Sequence, residues 1–202
     1  MAIMEIYRTL PEQVAAHLRH EVFSGKLKPG DPLREIEVSE RFGVSRGPIR
    51  EAFRQLTQQG LLVLEPNKGV RVAPNPSSSV RPLVVELRRT IEIFVLESSF
   101  EKITEDDLAN LESILGDIKE ACEKEDTTAL VEHDLRFHKA IIECHDDKDL
   151  FSIWEPIMIR MLMHYSRLSK LMDSYLEHQT IYDAIRSGNK ENAIEAIRNN
   201  IQ

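Results

Sequence analysis

The sequence predicts a mainly α protein of two unlike parts. A winged helix-turn-helix is expected over residues 1–75 and an all-helical bundle over residues 83–202, joined by a linker at 76–82. Three observations carry that prediction. Charge is divided unevenly: residues 1–76 hold 11 Lys and Arg against 9 Asp and Glu, whereas residues 77–202 hold 15 against 25, in a chain of net charge -8. The stretch "APNPSSSVRP", Ala73 to Pro82, combines three prolines and three serines without a bulky apolar cluster, a composition for extended connecting chain. Before it, glycines and turn signals punctuate short periodic segments; after it, one 3.6-residue period follows another with no strand alternation.

The first helix is expected over Leu10–Phe23, with Val14, Leu18, Val22 and Phe23 inward and Pro11 in the first turn, where a missing N–H does no harm. "SGKLKPGDPL" is a turn-rich connection. A short helix over Glu35–Phe42 turns Ile36, Val38 and Phe42 inward and is stopped by Gly43, which suits a position of positive φ. Ser45 can cap a third helix that carries Pro48 in its first turn and ends at Gly60. "LLVLEPNKGVRVAP" then reads as two short strands around the turn "EPNKG", a wing.

The third helix raises the functional question. Arg46, Arg50 and Arg54 recur every four residues, opposite an apolar set of Val44, Ile49, Ala52, Phe53 and Leu56. An arginine row alone does no more than solvate a helix surface. Preceded by a compact helix and turn, capped at its start and followed by a basic hairpin, it reads instead as a recognition helix for the major groove of duplex DNA. Arginine suits that task because its planar fork matches guanine O6 and N7 and also grips phosphate. Arg46 and Arg50, near the helix start, are expected at base edges and Arg54 at the backbone. Ser45 and Gly47 lie at the point of closest approach, and Lys68, Gly69 and Arg71 of the wing over the neighbouring groove or backbone. The acidic second part is a poor polyanion binder, since phosphate binding exchanges protein cations for counterions.

Six helical periods follow the linker: Val80–Phe100, Thr104–Lys124, Thr127–His145, Lys148–Leu171, Asp173–Ser187 and Lys190–Ile201. Their starts are marked by "TEDD", "DTTA" and "SGNKE", which supply caps and first-turn acids. A bundle of six or seven helices is expected. "MIRMLMHY" is methionine-rich core packing, and Trp154 with Ile153 and Ile157 is a packing anchor. Cys122 and Cys144 lack metal-type spacing and read as small apolar residues of a reducing compartment. No apolar run long enough to span a bilayer and no secretory leader are visible, so a cytoplasmic location and no membrane partner are expected. Asp134 and His138, four apart, share a helix face and form a workable ligand pair; alone, such pairs are common by chance. His133 must point elsewhere, toward solvent, and His164 is assigned to core or surface in preference to a cavity lining.

"LREIEVSERFGVSRGPIREAFRQLTQQGLL" followed by "NKGVRV" resembles the GntR family of bacterial regulators, through Gly43, Ser45, Arg46, Pro48, Arg50, Glu51, Ala52, Leu56, Gly60 and Leu61. Gly47 departs from that pattern, which has threonine there. The helical part resembles the effector domain of the FadR-type subgroup, the FCD domain, through Arg88 and Glu92 of "ELRRTIE", Asp134 and His138 of "DLRFH", and His178 of "EHQTIYDAIRSGN". The resemblance implies a divalent metal of the zinc, nickel or manganese class on Asp134, His138 and His178, with Asn200 standing where a fourth ligand, histidine, is usual. It also implies a pocket for a small organic acid near Arg88, Glu92 and Asn200, and a homodimer on an inverted-repeat operator. The function expected is therefore a ligand-responsive transcriptional regulator, of repressor type, and not an enzyme. The alternatives are a metal-dependent enzyme acting on a small carboxylate, for which no positioned base or nucleophile is visible, and a metal-only sensor.

Overall fold

The computed structural model describes residues 9–145, 147–163 and 171–202. The chain forms two compact units that divide between Asn75 and Pro76.

In the N-terminal unit, α1 spans Leu10–Phe23. Thr9 and Glu12 close a capping box at its start, the Thr9 amide donating to the Glu12 carboxylate at 2.7 Å. Its inward face is Val14, Ala15, Leu18 and Glu21, while Val22 and Phe23, expected inside, are half-buried. Phe23 lies on the opposite side of the helix from Val14, whereas Val22 keeps the buried face and is only part-covered in the last turn. Glu21 tolerates burial because Lys26 and Arg41 reach it at 2.5 and 2.8 Å. A two-residue strand β1, Pro32–Leu33, precedes α2, Glu35–Phe42. Within α2, Val38 is buried and Phe42 half-buried, but Ile36 is exposed, contrary to expectation. Two residues along a helix is roughly 200° of rotation, so Ile36 cannot share the face of Val38.

Gly43 takes φ 65° at the C-terminus of α2, the left-handed cap that turns the chain into α3, Arg46–Gln58. Ile49, Ala52, Phe53 and Leu56 of α3 are buried, against α1 and α2. Strands β2, Leu62–Glu65, and β3, Gly69–Val72, pair antiparallel with Leu62 opposite Val72 and Glu65 opposite Gly69. β1 adds to the far side of β3, with Leu33 opposite Val70. Nothing in the sequence announces β1, because two residues carry no period.

The second unit is helical throughout its described residues. It comprises α4 (Arg81–Ser99), a single 3-10 turn (Phe100–Lys102), α5 (Glu105–Glu123), α6 (Thr127–Glu143), α7 (Lys148–Leu162), α8 (Leu171–Arg186) and α9 (Lys190–Asn200). Thr104, Asp126 and Asn189 cap α5, α6 and α9 through their side chains, as the start signals implied. α4 packs on α6, α7 and α9, and α5 on α6 and α8, so α4 and α6 share one core. Trp154 is fully buried there, whereas Ile153 is exposed and does not join it. Cys122 is buried and Cys144 half-buried; burial pushes the Cys144 thiol up to about 12, so it stays protonated and inert. No helix among the described residues is long and apolar enough to cross a membrane.

Candidate nucleic-acid interface and metal centre

The exposed side of α3 carries every residue that the sequence assigns to it. Ser45, Arg46, Gly47, Arg50 and Arg54 are all exposed. Ser45 is the N-cap, with extended backbone at φ -67° and ψ 163°, but its hydroxyl makes no capping bond. Gly47 sits in open space: a Cβ built there meets nothing within 4 Å. The arginines are ordered by carboxylates. Arg50 donates Nε and Nη2 to the two oxygens of Glu35 at 3.1 and 2.9 Å, and Arg46 Nη2 reaches Glu35 Oε2 at 3.4 Å. Arg54 pairs with Glu51 on its own helix.

In the wing, Lys68 is exposed beside Glu65 at 3.1 Å, and Gly69 turns the hairpin with φ 79°. Arg71 also has a contact within the fold. It is half-buried and donates Nη1 to the Gly30 carbonyl at 2.8 Å, fastening β3 to the loop before β1. A guanidinium held by backbone is less free to follow a phosphate than Lys68.

The second unit holds a buried polar cluster. Arg88 and Glu92 come from α4, Asp134 and His138 from α6, and His178 from α8, and all five are buried. The four-residue steps within α4 and within α6 put each pair on one helix face. Glu92 is the hub. Its carboxylate accepts from Arg88 Nε at 2.8 Å, from the Trp154 indole at 2.9 Å and from His138 Nδ1 at 2.6 Å. Burial disfavours its charge, yet His138 and Arg88 together bring the Glu92 carboxyl down to about 2.

A carboxylate and a carbonyl only accept hydrogen bonds, which fixes both histidine tautomers. His138 donates Nδ1–H to Glu92, and His178 donates Nδ1–H to the Ser174 carbonyl at 2.7 Å. In each ring, when neutral, Nε2 therefore carries the lone pair, and neither Nε2 has a hydrogen-bond partner among the described residues. Burial lowers the His138 pKa and keeps the ring neutral. His178 Nε2 lies 3.2 Å from Asp134 Oδ1, outside hydrogen-bond geometry, and Asp134 Oδ2 is likewise buried without a partner. Burial opposes charge on Asp134 too, but its buried polar neighbours, the Arg88 guanidinium among them, hold its carboxyl well below the usual range.

Ligand atoms of Asp134, His138 and His178 all lie within 4.8 Å of one another. Two imidazole lone pairs and an ionised oxygen facing one point repel unless a cation lies between them. Two nitrogens and one oxygen suit zinc, nickel or manganese, and three protein ligands leave coordination positions open. The donor set therefore fits a divalent metal, with Glu92 and the Ser174 carbonyl orienting the rings from behind. Arg88 Nη1 rests on Met161 Sδ at 3.3 Å, while its Nη2 is buried without a partner among the described residues.

Other expected residues fall elsewhere. Asn200 is half-buried and donates to Glu177 Oε2 at 3.2 Å. His133 is half-buried and not solvent-exposed, with Arg136 Nη1 3.2 Å from its Nδ1; burial lowers its pKa. His164 lies outside the described residues. Sequence reasoning missed the central position of Glu92, the polar role of Trp154 and the Glu35 clamp. Glu92 was named for the pocket by the resemblance but not as the hub, and Glu35 was detectable only as an unexplained acidic residue.

Residues 10–72 match the family described as bacterial regulatory proteins, gntR family, and residues 84–202 match the FCD domain. The chain is 25% identical to the galactonate operon transcriptional repressor of Escherichia coli (strain K12), over 92% of this chain and 90% of that protein. It is 26% identical to the gluconate operon transcriptional repressor of Bacillus subtilis (strain 168), over 93% and 80%. Its fold resembles that of E. coli McbR/YncC, with a TM-score of 0.80 at 23% identity, covering 96% of this chain and 94% of that one.

Proposed function

Because the chain belongs to the gntR family of bacterial regulatory proteins and carries an FCD domain, and is thus a DNA-binding transcriptional regulator, we propose that it is a repressor released by a small hydroxy acid. The carrying observation is the buried set of atoms without a hydrogen-bond partner among the described residues: Asp134 Oδ2, His138 Nε2, His178 Nε2 and Arg88 Nη2. Buried polar atoms in native proteins are almost always satisfied. A set of this composition calls for a cation on the first three and an anion beside the fourth.

In this reading Asp134, His138 and His178 hold a divalent metal. The metal supplies Lewis acidity and open positions for effector oxygens. Arg88 Nη2 meets the effector carboxylate, and Glu92 keeps Arg88 and His138 aligned. Relatives named for galactonate and gluconate operons favour sugar acids, whose carboxylate and neighbouring hydroxyls suit a cation flanked by a guanidinium. Ser45, Arg46, Gly47 and Arg50 face the major groove, Arg54 its phosphate backbone, and Lys68 and Gly69 the adjacent backbone. Two copies present two reading helices to an inverted repeat. The effector binds one arrangement of the protein better than the other, and a coupling of roughly 1–3 kcal/mol alters DNA affinity about 5–150-fold.

The test is elemental analysis of purified protein and of Asp134→Ala, His138→Ala and His178→Ala, paired with melting in gluconate with and without chelator. The reading expects near-stoichiometric metal that each variant loses, and stabilisation by gluconate or a related acid that chelator abolishes. Equal metal content in all three variants would remove the ligand assignment.

A further inference from the structure

We propose that Glu35 is a positioning residue for DNA reading: it holds Arg50, and with it Arg46, so that a fixed edge of the Arg50 guanidinium meets the base. The proposal rests on the reading that α3 enters the major groove. A guanidinium has two forks. The side fork is Nε–H with one Nη2–H; the end fork is Nη1–H with the other Nη2–H. Glu35 takes the side fork of Arg50, with Oε1 on Nε and Oε2 on Nη2 at 3.1 and 2.9 Å. The end fork remains, and it matches guanine O6 and N7 in bidentate fashion.

Glu35 is well built for this. It is the first residue of α2, so the clamp joins the two helices of the helix-turn-helix across their turn. Its side chain is 28% exposed, against 67% for Arg50 and 57% for Arg46. The Arg50 hydrogen bond holds its carboxyl below the usual range, so it stays ionised at neutral pH. An unrestrained arginine on an exposed face samples many rotamers and must be ordered on binding; Glu35 orders Arg50 beforehand. Arg54 lacks such help, because its partner Glu51 lies three residues back on the same helix and is itself exposed.

A carboxylate near a duplex also repels phosphate, so the two effects of Glu35 have opposite signs. Removing its charge should strengthen binding to DNA in general while weakening the preference for the correct sequence. A residue that merely stabilised the fold would not separate these.

The test uses the full chain and a duplex enriched by wild-type protein from a random-sequence library, with a scrambled duplex of equal length as reference. Anisotropy titrations compare wild type, Glu35→Gln, Glu35→Asp, Arg50→Ala and Glu35→Gln with Arg50→Ala. Glu35→Gln should lower the selected-to-scrambled affinity ratio about 10-fold, with scrambled binding unchanged or tighter. Glu35→Asp should recover part of the ratio, and Glu35→Gln should cost nothing further once Arg50 is alanine. Equal change on both duplexes would overturn the proposal. Should Arg50→Ala keep the wild-type ratio, the groove reading itself fails. A lost ratio in Arg50→Ala with an intact one in Glu35→Gln sinks Glu35 alone. Circular dichroism melts report folding, and Glu35→Ala repeats the comparison should the amide disturb α2.

Discussion

Glu92 decides which nitrogen of His138 faces the cluster. Its three donors, Arg88, Trp154 and His138, arrive from three helices, and an amide in its place would point an N–H at one of them. Glu92→Gln should therefore lower stability by about 3 kcal/mol, as expected when one partner of a buried ion pair is lost. It should also weaken metal binding roughly 10–100-fold, because His138 loses the group that orients it. Urea denaturation and metal titration of the intact protein check both; an unchanged denaturation midpoint would show that Glu92 is not the hub. Asp134 and His138 were legible as a pair because both lie on one turn of one helix. The place of Glu92 was not, since α4 and α6 meet only in three dimensions. Asn200 illustrates the converse: the resemblance located the position, and the side chain there turns to Glu177.

Two glycines at the ends of one turn separate backbone need from close approach. Gly43 has φ 65° and Gly47 is helical, and a Cβ on either meets nothing within 4 Å. Gly43→Ala should cost about 1–2 kcal/mol, the penalty of a left-handed residue, measured by thermal melting. Gly47→Ala should gain up to about 1 kcal/mol of helix stability. If Gly47 serves close approach to DNA, that same variant binds the selected duplex more weakly while melting higher; equal or tighter binding would leave Gly47 without a role. Elements with a sustained period were legible: α1, α2, α3 and the six helices after the linker have the expected order, with ends shifted by one or two residues, except that the helix expected over Lys148–Leu171 ends at Leu162, and residues 164–170 of that expected span lie outside the described residues. Ile36 and Phe23 were misplaced because a short amphipathic stretch fixes period better than phase. β1 carried no period, and its pairing with β3 depends on residues far along the chain.

At the scale of the molecule, the uneven charge assigns polyanion contact to the first unit and leaves the acidic second unit to other partners. Leu83, Leu87 and Phe94 of α4 are exposed on the helical unit, at 59%, 44% and 49%, an apolar stripe suited to a second copy. Light scattering should give twice the chain mass of 23.3 kDa, and Phe94→Asp should return it to one chain; a wild-type monomer would rule out the paired reading helices. The central claim joins the two units, in that a buried site in the second governs DNA binding by the first. It is tested most directly by titrating full-length protein onto its selected duplex at several salt concentrations, with gluconate, galactonate or neither, in zinc or in chelator. The account predicts salt-sensitive binding that a sugar acid weakens at least about 5-fold, in wild type and not in His178→Ala. DNA affinity indifferent to acid, to metal and to His178→Ala alike would contradict it.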